Sequence, residues 1–211
     1  MQDDNMQVAN CVVDYEVNTV SNLILPWYNF PLINFIQSYI KPQMNIFEFG
    51  TGISSIFYAH NGCNIYGVEA NIEWLTKVQI LAKEKNLSNR ISIEFCKKSH
   101  EIASYLAKVP QNNGCDIEFD AIIIDSYNRI ECLAEAKKFY KKGIIILDNS
   151  ERENLKEAKK VMKNFDYLHF KGNGLNRDGE SESLVFFLGQ NLSQIGIFPV
   201  DGVFQNKVLT F

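Results

Sequence analysis

Two glycines and two acids around the first strand-like run of the chain could hold a ligand against the backbone. Gly50 and Gly52 follow a short apolar run and precede a helix-compatible segment, so the backbone can approach a ligand there without side chains in the way. Glu48 lies two residues before Gly50, where its carboxylate would repel the pyrophosphate of a dinucleotide. Glu69 lies 17 residues after Gly52, where a carboxylate can accept both hydroxyls of a ribose. The pattern therefore predicts a ligand with a ribose at one end and a cationic group at the other.

Two segments around these residues, "FEFGTGISS" and "GVEAN", resemble the first two cofactor motifs of the class I S-adenosylmethionine-dependent methyltransferases. The resemblance spans residues 44–189 and implies S-adenosylmethionine as methyl donor. It also implies an α/β fold, a Rossmann-like seven-stranded and mostly parallel sheet with an antiparallel last strand and helices on both faces. The residues that it assigns to the donor are Glu48, Gly50, Gly52, Ser54, Glu69, Ala70, Ser99, His100 and Asp125.

A narrower resemblance, to the catechol-type O-methyltransferases, lies at the ends of three later strands. "EFCKKSHEIASYL" is similar to the segment in which that group places two residues against the adenine, here Ser99 and His100. "IIIDS" and "IIILDNS" are similar to its metal-binding strand ends. This resemblance implies that Asp125, Asp148 and Asn149 could bind Mg²⁺, which would lower the pKa of an acceptor hydroxyl.

Methyl transfer needs a deprotonated acceptor, and the two predicted catalytic residues, Asp125 and Asp148, could accept the proton of its hydroxyl. The catechol-type enzymes have a lysine base three residues after the first acid, whereas this sequence has Asn128. His100 and Tyr127 are further candidates for a base. Alternatively, the two acids line the cleft without a metal or cap the helices that follow them.

A second resemblance covers more of the chain. "LPWYNFPLINFIQSYIK", "IDSYNRIECL" and "LDNSER" look like segments of bacterial and plant class I methyltransferase-like proteins, some of which act on sugars or cell-wall polymers. Taken together, the resemblances imply an enzyme that O-methylates a small molecule or a sugar.

Two other classes of function stay open. An NAD-linked oxidoreductase would use a similar turn, but Glu48 disfavours it, as does Ser55, where the dinucleotide fingerprint has glycine or alanine. A non-catalytic module would bind a nucleotide or S-adenosylmethionine without turnover. Asn128 agrees with such a module, and so does the missing acid in "CKKSHE", where many members of the family have an aspartate.

The elements that must position these residues follow from hydrophobic periodicity. From about residue 44, short β-rich runs alternate with helix-period segments, which is typical of βα units around a mostly parallel sheet. The last two runs, "DYLHFKG" and "SESLVFFLG", are joined without a helix and can pair antiparallel. We expect one domain, formed by an N-terminal segment and helix (1–43), the core (44–189) and a strand-like extension (190–211). The extension could be a lid, an added sheet edge or a dimer contact.

Composition limits the remaining classes. With 46% hydrophobic and 22% charged residues and a net charge of -4, the sequence is that of a globular domain without a general nucleic-acid-binding surface. The five cysteines show no CxxC spacing, so reduced thiols in the cytoplasm are expected. A signal-like N-terminus and a membrane-length apolar run are both missing from the sequence. We therefore expect a cytoplasmic protein without nucleic-acid or membrane partners, and a homodimer as an option.

Overall fold

The computed structural model describes residues 24–109, 117–139, 142–152, 157–174, 179–189 and 208–210. Residues 1–23 of the N-terminal segment and 190–207 of the C-terminal extension lie outside the described residues. Short 3₁₀ segments cover Ser88–Arg90 and Ser99–Tyr105. The helices and strands, in chain order, are α1 (Phe30–Tyr39), β1 (Asn45–Phe49), α2 (Ile53–His60), β2 (Asn64–Glu69), α3 (Ile72–Glu84), β3 (Ile91–Phe95), β4 (Ala121–Ile124), α4 (Arg129–Phe139), β5 (Gly143–Asp148), α5 (Ala158–Val161), β6 (Asp166–Asn173), β7 (Glu180–Leu188) and β8 (Val208–Thr210).

The strands form a single sheet in the order β3-β2-β1-β4-β5-β7-β6-β8. Strands β1 to β5 are parallel to one another, and β7 runs antiparallel to both β5 and β6. This confirms the predicted α/β fold with a mostly parallel sheet and an antiparallel seventh strand.

An eighth strand extends the predicted sheet. The short strand β8 pairs parallel with β6, with His169 opposite Val208 and Lys171 opposite Thr210. Without β8, the outer backbone groups of β6 would form an open edge that invites pairing with other chains. Of the three roles considered for the C-terminal extension, residues 208–210 therefore take that of an added sheet edge.

The core lies on both faces of the sheet. Strands β4 and β5 are buried along their whole length, as parallel strands covered on both faces should be. Because side chains alternate along a strand, Phe47 and Ile122 belong to the apolar cluster that includes α4, whereas Ile46 and Ile123 belong to the cluster that includes α1. This two-sided packing fixes the strand ends from which the candidate site is built.

Helix α1 is anchored at its first turn. The side-chain oxygen of Asn29 accepts a hydrogen bond from the backbone N–H of Leu32 at 3.0 Å, and Pro31 occupies the first turn, where a missing N–H costs little. Phe35 of this helix packs on Phe170 of β6, with ring centroids 5.2 Å apart. The helix therefore lies over the sheet and brings the preceding residues to the strand ends. In the described part of the chain, the helices are too short or too polar to cross a bilayer.

Candidate functional site

A cleft of about 230 Å³ opens where β1, β2 and β4 end. In open α/β sheets, ligands bind at this carboxyl edge of the strands. Five of the nine predicted donor-binding residues line the cleft, together with five residues that the sequence did not assign to it. The lining residues are Trp27, Tyr28, Gly50, Thr51, Gly52, Ile53, Ser54, Glu69, Trp74 and Asp125.

The glycine turn between β1 and α2 forms the floor of the cleft. Gly50 has φ +81°, a left-handed conformation that favours glycine. A Cβ at Gly50 would lie 2.1 Å from the carbonyl oxygen of Asp125, so a side chain would push β1 away from the end of β4. The backbone N–H of Asp125 donates to the carbonyl of Phe49 at 2.9 Å, which joins the two strand ends. The turn therefore depends on glycine for both conformation and space.

Glu48 lies beneath this turn rather than in the wall of the cleft. Its side chain is fully buried, and its Oε2 accepts a short hydrogen bond from the hydroxyl of Ser55. The same hydroxyl accepts the backbone N–H of Gly52 at 3.2 Å. Burial raises the pKa of Glu48 to about 7, against the opposing hydrogen bonds from Ser55 and Ser54. Glu48 thus holds the start of α2 in place, and direct contact with the donor stays a prediction.

Glu69 lies at the end of β2 and is fixed by three backbone groups. Its Oε2 accepts the N–H of Thr51 at 3.0 Å, and its Oε1 accepts those of Ala70 and Asn71 at 2.8 Å each. Burial raises the pKa of Glu69, although these three hydrogen bonds act in the opposite direction. Ala70 contributes its N–H to this arrangement and is not among the lining residues. The result is a rigidly oriented carboxylate at the cleft.

Two indole rings form one wall of the cleft. The ring centroids of Trp27 and Trp74 are 5.7 Å apart, and the ring planes are inclined by 48°. The indole N–H of Trp74 donates to the carbonyl of Thr51 at 2.6 Å. Asn71 caps α3 by accepting the N–H groups of Glu73 and Trp74 at 3.0 Å each, which sets where Trp74 lies. Neither tryptophan was among the residues that the sequence assigned to the donor; for Trp74, an aromatic residue in the first turn of the helix after β2 was the available signal.

Tyr28 also lines the cleft. It is buried, with 2% of its surface exposed. Burial, followed by the neighbouring Tyr58 and Glu48, raises its pKa well above the usual value for a tyrosine. Its hydroxyl therefore remains protonated at physiological pH.

The structure does not bring Ser99 and His100 into the cleft. Both lie in the exposed 3₁₀ segment after β3, and neither is a lining residue. His100 has its Nε2 3.8 Å from a carboxylate oxygen of the exposed Glu101. Asn128 donates to the carbonyl of Ser99 at 3.3 Å, which holds the segment against the loop after β4. Their predicted contact with the adenine stays a prediction.

Arg129, which the sequence analysis missed, stands among the predicted metal ligands. Its guanidinium is buried, and its Nη2 donates short to Asp125 Oδ1 and at 3.0 Å to Asn149 Oδ1. Its Nε donates to the backbone carbonyl of Asp148 at 3.1 Å, and its Nη1 to that of Ser126. The position four residues after Asp125, at the start of a helix, was the signal that could have identified Arg129.

This arrangement does not fit the predicted Mg²⁺ site. Mg²⁺ needs about six oxygen ligands in octahedral geometry, but Oδ1 of Asp125 and Oδ1 of Asn149 both accept hydrogen bonds from a guanidinium. The third predicted ligand, Asp148, accepts instead from the hydroxyl of Ser183 at 2.7 Å. Among the described residues, there is also no cluster of three or more His, Cys, Asp or Glu side chains that could hold a metal. The residues present do not fit the metal.

Asp148 lies behind the cleft wall. It is 3% exposed and is not among the lining residues. Burial, followed by the charge of Asp125, raises its pKa to about 7, while the Ser183 hydroxyl opposes that shift. Asn29 donates to the same hydroxyl at 3.0 Å, so a buried chain of hydrogen bonds runs from the start of α1 to the end of β5. Of the two predicted catalytic residues, Asp125 is the one at the cleft.

Comparisons with known proteins agree with this architecture. No protein-family model matches the sequence, and no curated protein sequence matches it significantly. An O-methyltransferase from Bacillus cereus in complex with SAH has a TM-score of 0.58 and 18% identity, over 87% of this chain and 89% of that one. A methyltransferase from Geobacter sulfurreducens has a TM-score of 0.57 and 13% identity, over 89% and 91% of the two chains. The O-methyltransferase TomG from Streptomyces achromogenes, involved in tomaymycin synthesis and in complex with SAM, has a TM-score of 0.54 and 15% identity, over 69% and 73%.

These likenesses extend over more than two thirds of the chain. The resemblance seen in the two sequence motifs and the likeness of the whole fold lead to the same group of proteins. The chain has the fold of the class I S-adenosylmethionine-dependent methyltransferases.

Proposed function

We propose that this protein is an S-adenosylmethionine-dependent methyltransferase that methylates a hydroxyl of a small molecule or a sugar. The observation that carries the proposal is the carboxylate of Glu69, which three backbone N–H groups hold at the cleft beside the bare backbone of Gly50 and Gly52. A carboxylate has about four acceptor positions, so Glu69 retains acceptor capacity for a ribose hydroxyl.

The aromatic wall supports a ligand with both a flat base and a positive charge. Aromatic faces attract cations and stack on heterocycles, and the Trp27–Trp74 pair offers such faces at the cleft. Bound S-adenosylmethionine would supply a methyl group activated by a sulfonium centre. In the proposal, the tryptophan pair, Ser54 and the glycine turn hold the donor in one orientation.

Asp125 is the proposed contact of the acceptor. Its side chain is 42% exposed at the cleft, so a hydroxyl can reach it, whereas Asp148 is buried behind. Asp125 orients the acceptor hydroxyl and receives its proton as the oxygen takes the methyl group. Because alignment alone supplies much of the acceleration in a displacement of this kind, a weak base is sufficient.

A second candidate is a module that binds the donor without turnover. It is favoured by the ion pair between Asp125 and Arg129, which already neutralises the acid at the cleft. Asn128 also agrees with this second candidate, because it stands where the catechol-type enzymes have a lysine base and its amide donates to the carbonyl of Ser99.

Isothermal titration with S-adenosylhomocysteine tests the donor site. Wild-type protein should bind with micromolar affinity, and Glu69→Ala should weaken binding by about tenfold or more, because the oriented carboxylate is lost. Glu73→Ala is the matched control, since Glu73 is an exposed acid in the first turn of α3 and should bind like wild type. No heat of binding to the wild type, or equal affinity for Glu69→Ala, would contradict the proposal.

Turnover separates the two candidates. Formation of S-adenosylhomocysteine is measured with a panel of phenols, catechols and sugars as acceptors. Product that depends on an acceptor establishes the enzyme, whereas donor binding without product on any of them supports the module.

Light scattering on the same protein tests the predicted homodimer.

A further inference from the structure

We infer that Arg129 is the resident cation of this cleft: its guanidinium takes the place expected for a divalent metal and positions Asp125 and Asn149, so the site works without a metal. As a statement about methyl transfer, the inference rests on the proposed function. As a statement about which cation these oxygens bind, it can be tested by itself.

The geometry of the guanidinium carries the inference. Three nitrogens of Arg129 donate to four oxygens, two from backbone carbonyls and two from side chains. The carbonyls belong to Ser126 and Asp148, which follow β4 and end β5. A guanidinium has five N–H groups in a planar fork, so four of them are used here. One side chain therefore holds two neighbouring strand ends together at the cleft, as a metal bound to both of them would do.

The charge balance agrees with this role. A buried guanidinium is costly unless it is paired and hydrogen-bonded, and the Asp125 carboxylate supplies the opposite charge. The amide oxygen of Asn149 also accepts from Arg152 at 3.3 Å, so its acceptor capacity is directed at two cations. A divalent ion at this point would meet a fixed positive charge, and Oδ1 of Asp125 and Oδ1 of Asn149 already accept from the guanidinium. Because the guanidinium is a side chain of the protein, this cation does not exchange with ions in solution.

The backbone conformation of Asn149 favours its hydrogen bond with Arg129. Asn149 has φ +57°, a left-handed conformation that is uncommon outside glycine, and it lies immediately after β5. In this conformation its side chain reaches Arg129, while the next residue, Ser150, donates its N–H to the carbonyl of Glu182 at 2.8 Å. The strand end is thus shaped to present an oxygen to the guanidinium.

The inference has a consequence for the acceptor. A vicinal diol gains nothing from chelation in a site whose oxygens bind a guanidinium. The acceptor hydroxyl must instead be held by hydrogen bonds, with Asp125 as the exposed partner at the cleft. A monohydroxyl acceptor should therefore serve as well as a vicinal diol of similar shape.

Binding of Mn²⁺ to the full chain, followed by electron paramagnetic resonance, tests the inference. In the wild type, Mn²⁺ binding should be the same as in Asp125→Asn, and EDTA should leave the affinity for S-adenosylhomocysteine unchanged. Arg129→Ala should gain one Mn²⁺ site, because it frees the oxygens of Asp125 and Asn149, and the double variant with Asp125→Asn should lose that site. Mn²⁺ binding to the wild type that Asp125→Asn abolishes would overturn the inference.

A rescue experiment distinguishes positioning from a merely structural role. Arg129→Ala should bind S-adenosylhomocysteine about tenfold more weakly, and added ethylguanidinium should restore the affinity, whereas ethylammonium should not. Arg129→Lys serves if the alanine variant fails to fold, and it should also bind weakly because an ammonium lacks the planar fork. Wild-type affinity of Arg129→Lys for S-adenosylhomocysteine would contradict the proposed positioning role of the guanidinium. Absence of S-adenosylhomocysteine binding to the wild type would remove the proposed function, while the Mn²⁺ comparison would still decide the role of Arg129.

Discussion

Two buried carboxyls, Glu48 and Asp148, each accept a hydrogen bond from a serine hydroxyl, and burial raises the pKa of both to about 7. An acid with a higher pKa in the folded chain than in the unfolded chain binds its proton more tightly when folded. Its effect on stability is therefore most favourable below the unfolded pKa and becomes less favourable as the pH rises to the folded pKa. For Glu48 this window extends from 4.5 to about 7.

Glu48→Gln tests this linkage. The amide can still accept from Ser55 but cannot ionise, so the stability of the variant relative to wild type should increase between pH 5 and pH 8. Between pH 4.5 and about 7, the contribution of Glu48 to the stability of the wild type changes by about 3 kcal/mol, at about 1.4 kcal/mol per pKa unit. Thermal unfolding at the two pH values measures it, with the exposed Glu73→Gln as control. An equal difference from wild type at both pH values would contradict the raised pKa.

At the scale of elements, the β1–α2 turn depends on contact with the end of β4. Gly50 combines a positive φ with a Cβ position that overlaps the carbonyl oxygen of Asp125. Gly179 has a positive φ of +97° as well, but a Cβ there would have no heavy atom of the described residues within 4 Å, its chain neighbours aside. Comparing substitutions at these two glycines therefore separates the cost of backbone strain from the cost of steric overlap.

Alanine at these two glycines should give different losses of stability. Gly179→Ala should cost about 1–2 kcal/mol, the strain of a left-handed residue, whereas Gly50→Ala should cost about 3 kcal/mol or more and abolish S-adenosylhomocysteine binding. Urea unfolding of both variants measures the costs. Similar losses in both would show that the overlap with Asp125 is relieved easily.

Local patterns predicted the elements better than the contacts between them. The glycine turn and the acids at the ends of β1, β2 and β4 could be assigned because each lies in an apolar strand or within a few residues of one. Ser99 and His100 were placed in the site by resemblance, yet they lie in an exposed 3₁₀ segment. The pairing of Arg129 with Asn149 joins the start of α4 to the residue after β5 and depends on tertiary packing. For that reason a metal was expected where a guanidinium lies.

At the scale of the whole molecule, the alternation of strands and helices was sufficient to predict the sheet and its antiparallel strand. The added strand β8 was one of three open options, because three residues give little periodic signal. The chain of hydrogen bonds from Asn29 through Ser183 to Asp148 was beyond prediction, since it joins the first described helix to the seventh and fifth strands. Long-range polar contacts of this kind have no local signature in a single sequence.

The tryptophan wall has a spectroscopic consequence. The sequence contains two tryptophans, and both line the cleft as a pair with ring centroids 5.7 Å apart and planes inclined by 48°. Two indoles so placed couple their excited states, and the folded protein should show a bisignate circular-dichroism band in the far ultraviolet. Trp27→Phe and Trp74→Phe should each remove the band, and its persistence in either variant would contradict the pairing. Because these are the indoles of the whole chain, intrinsic fluorescence and this band report on the cleft alone, and ligands can be screened without a label.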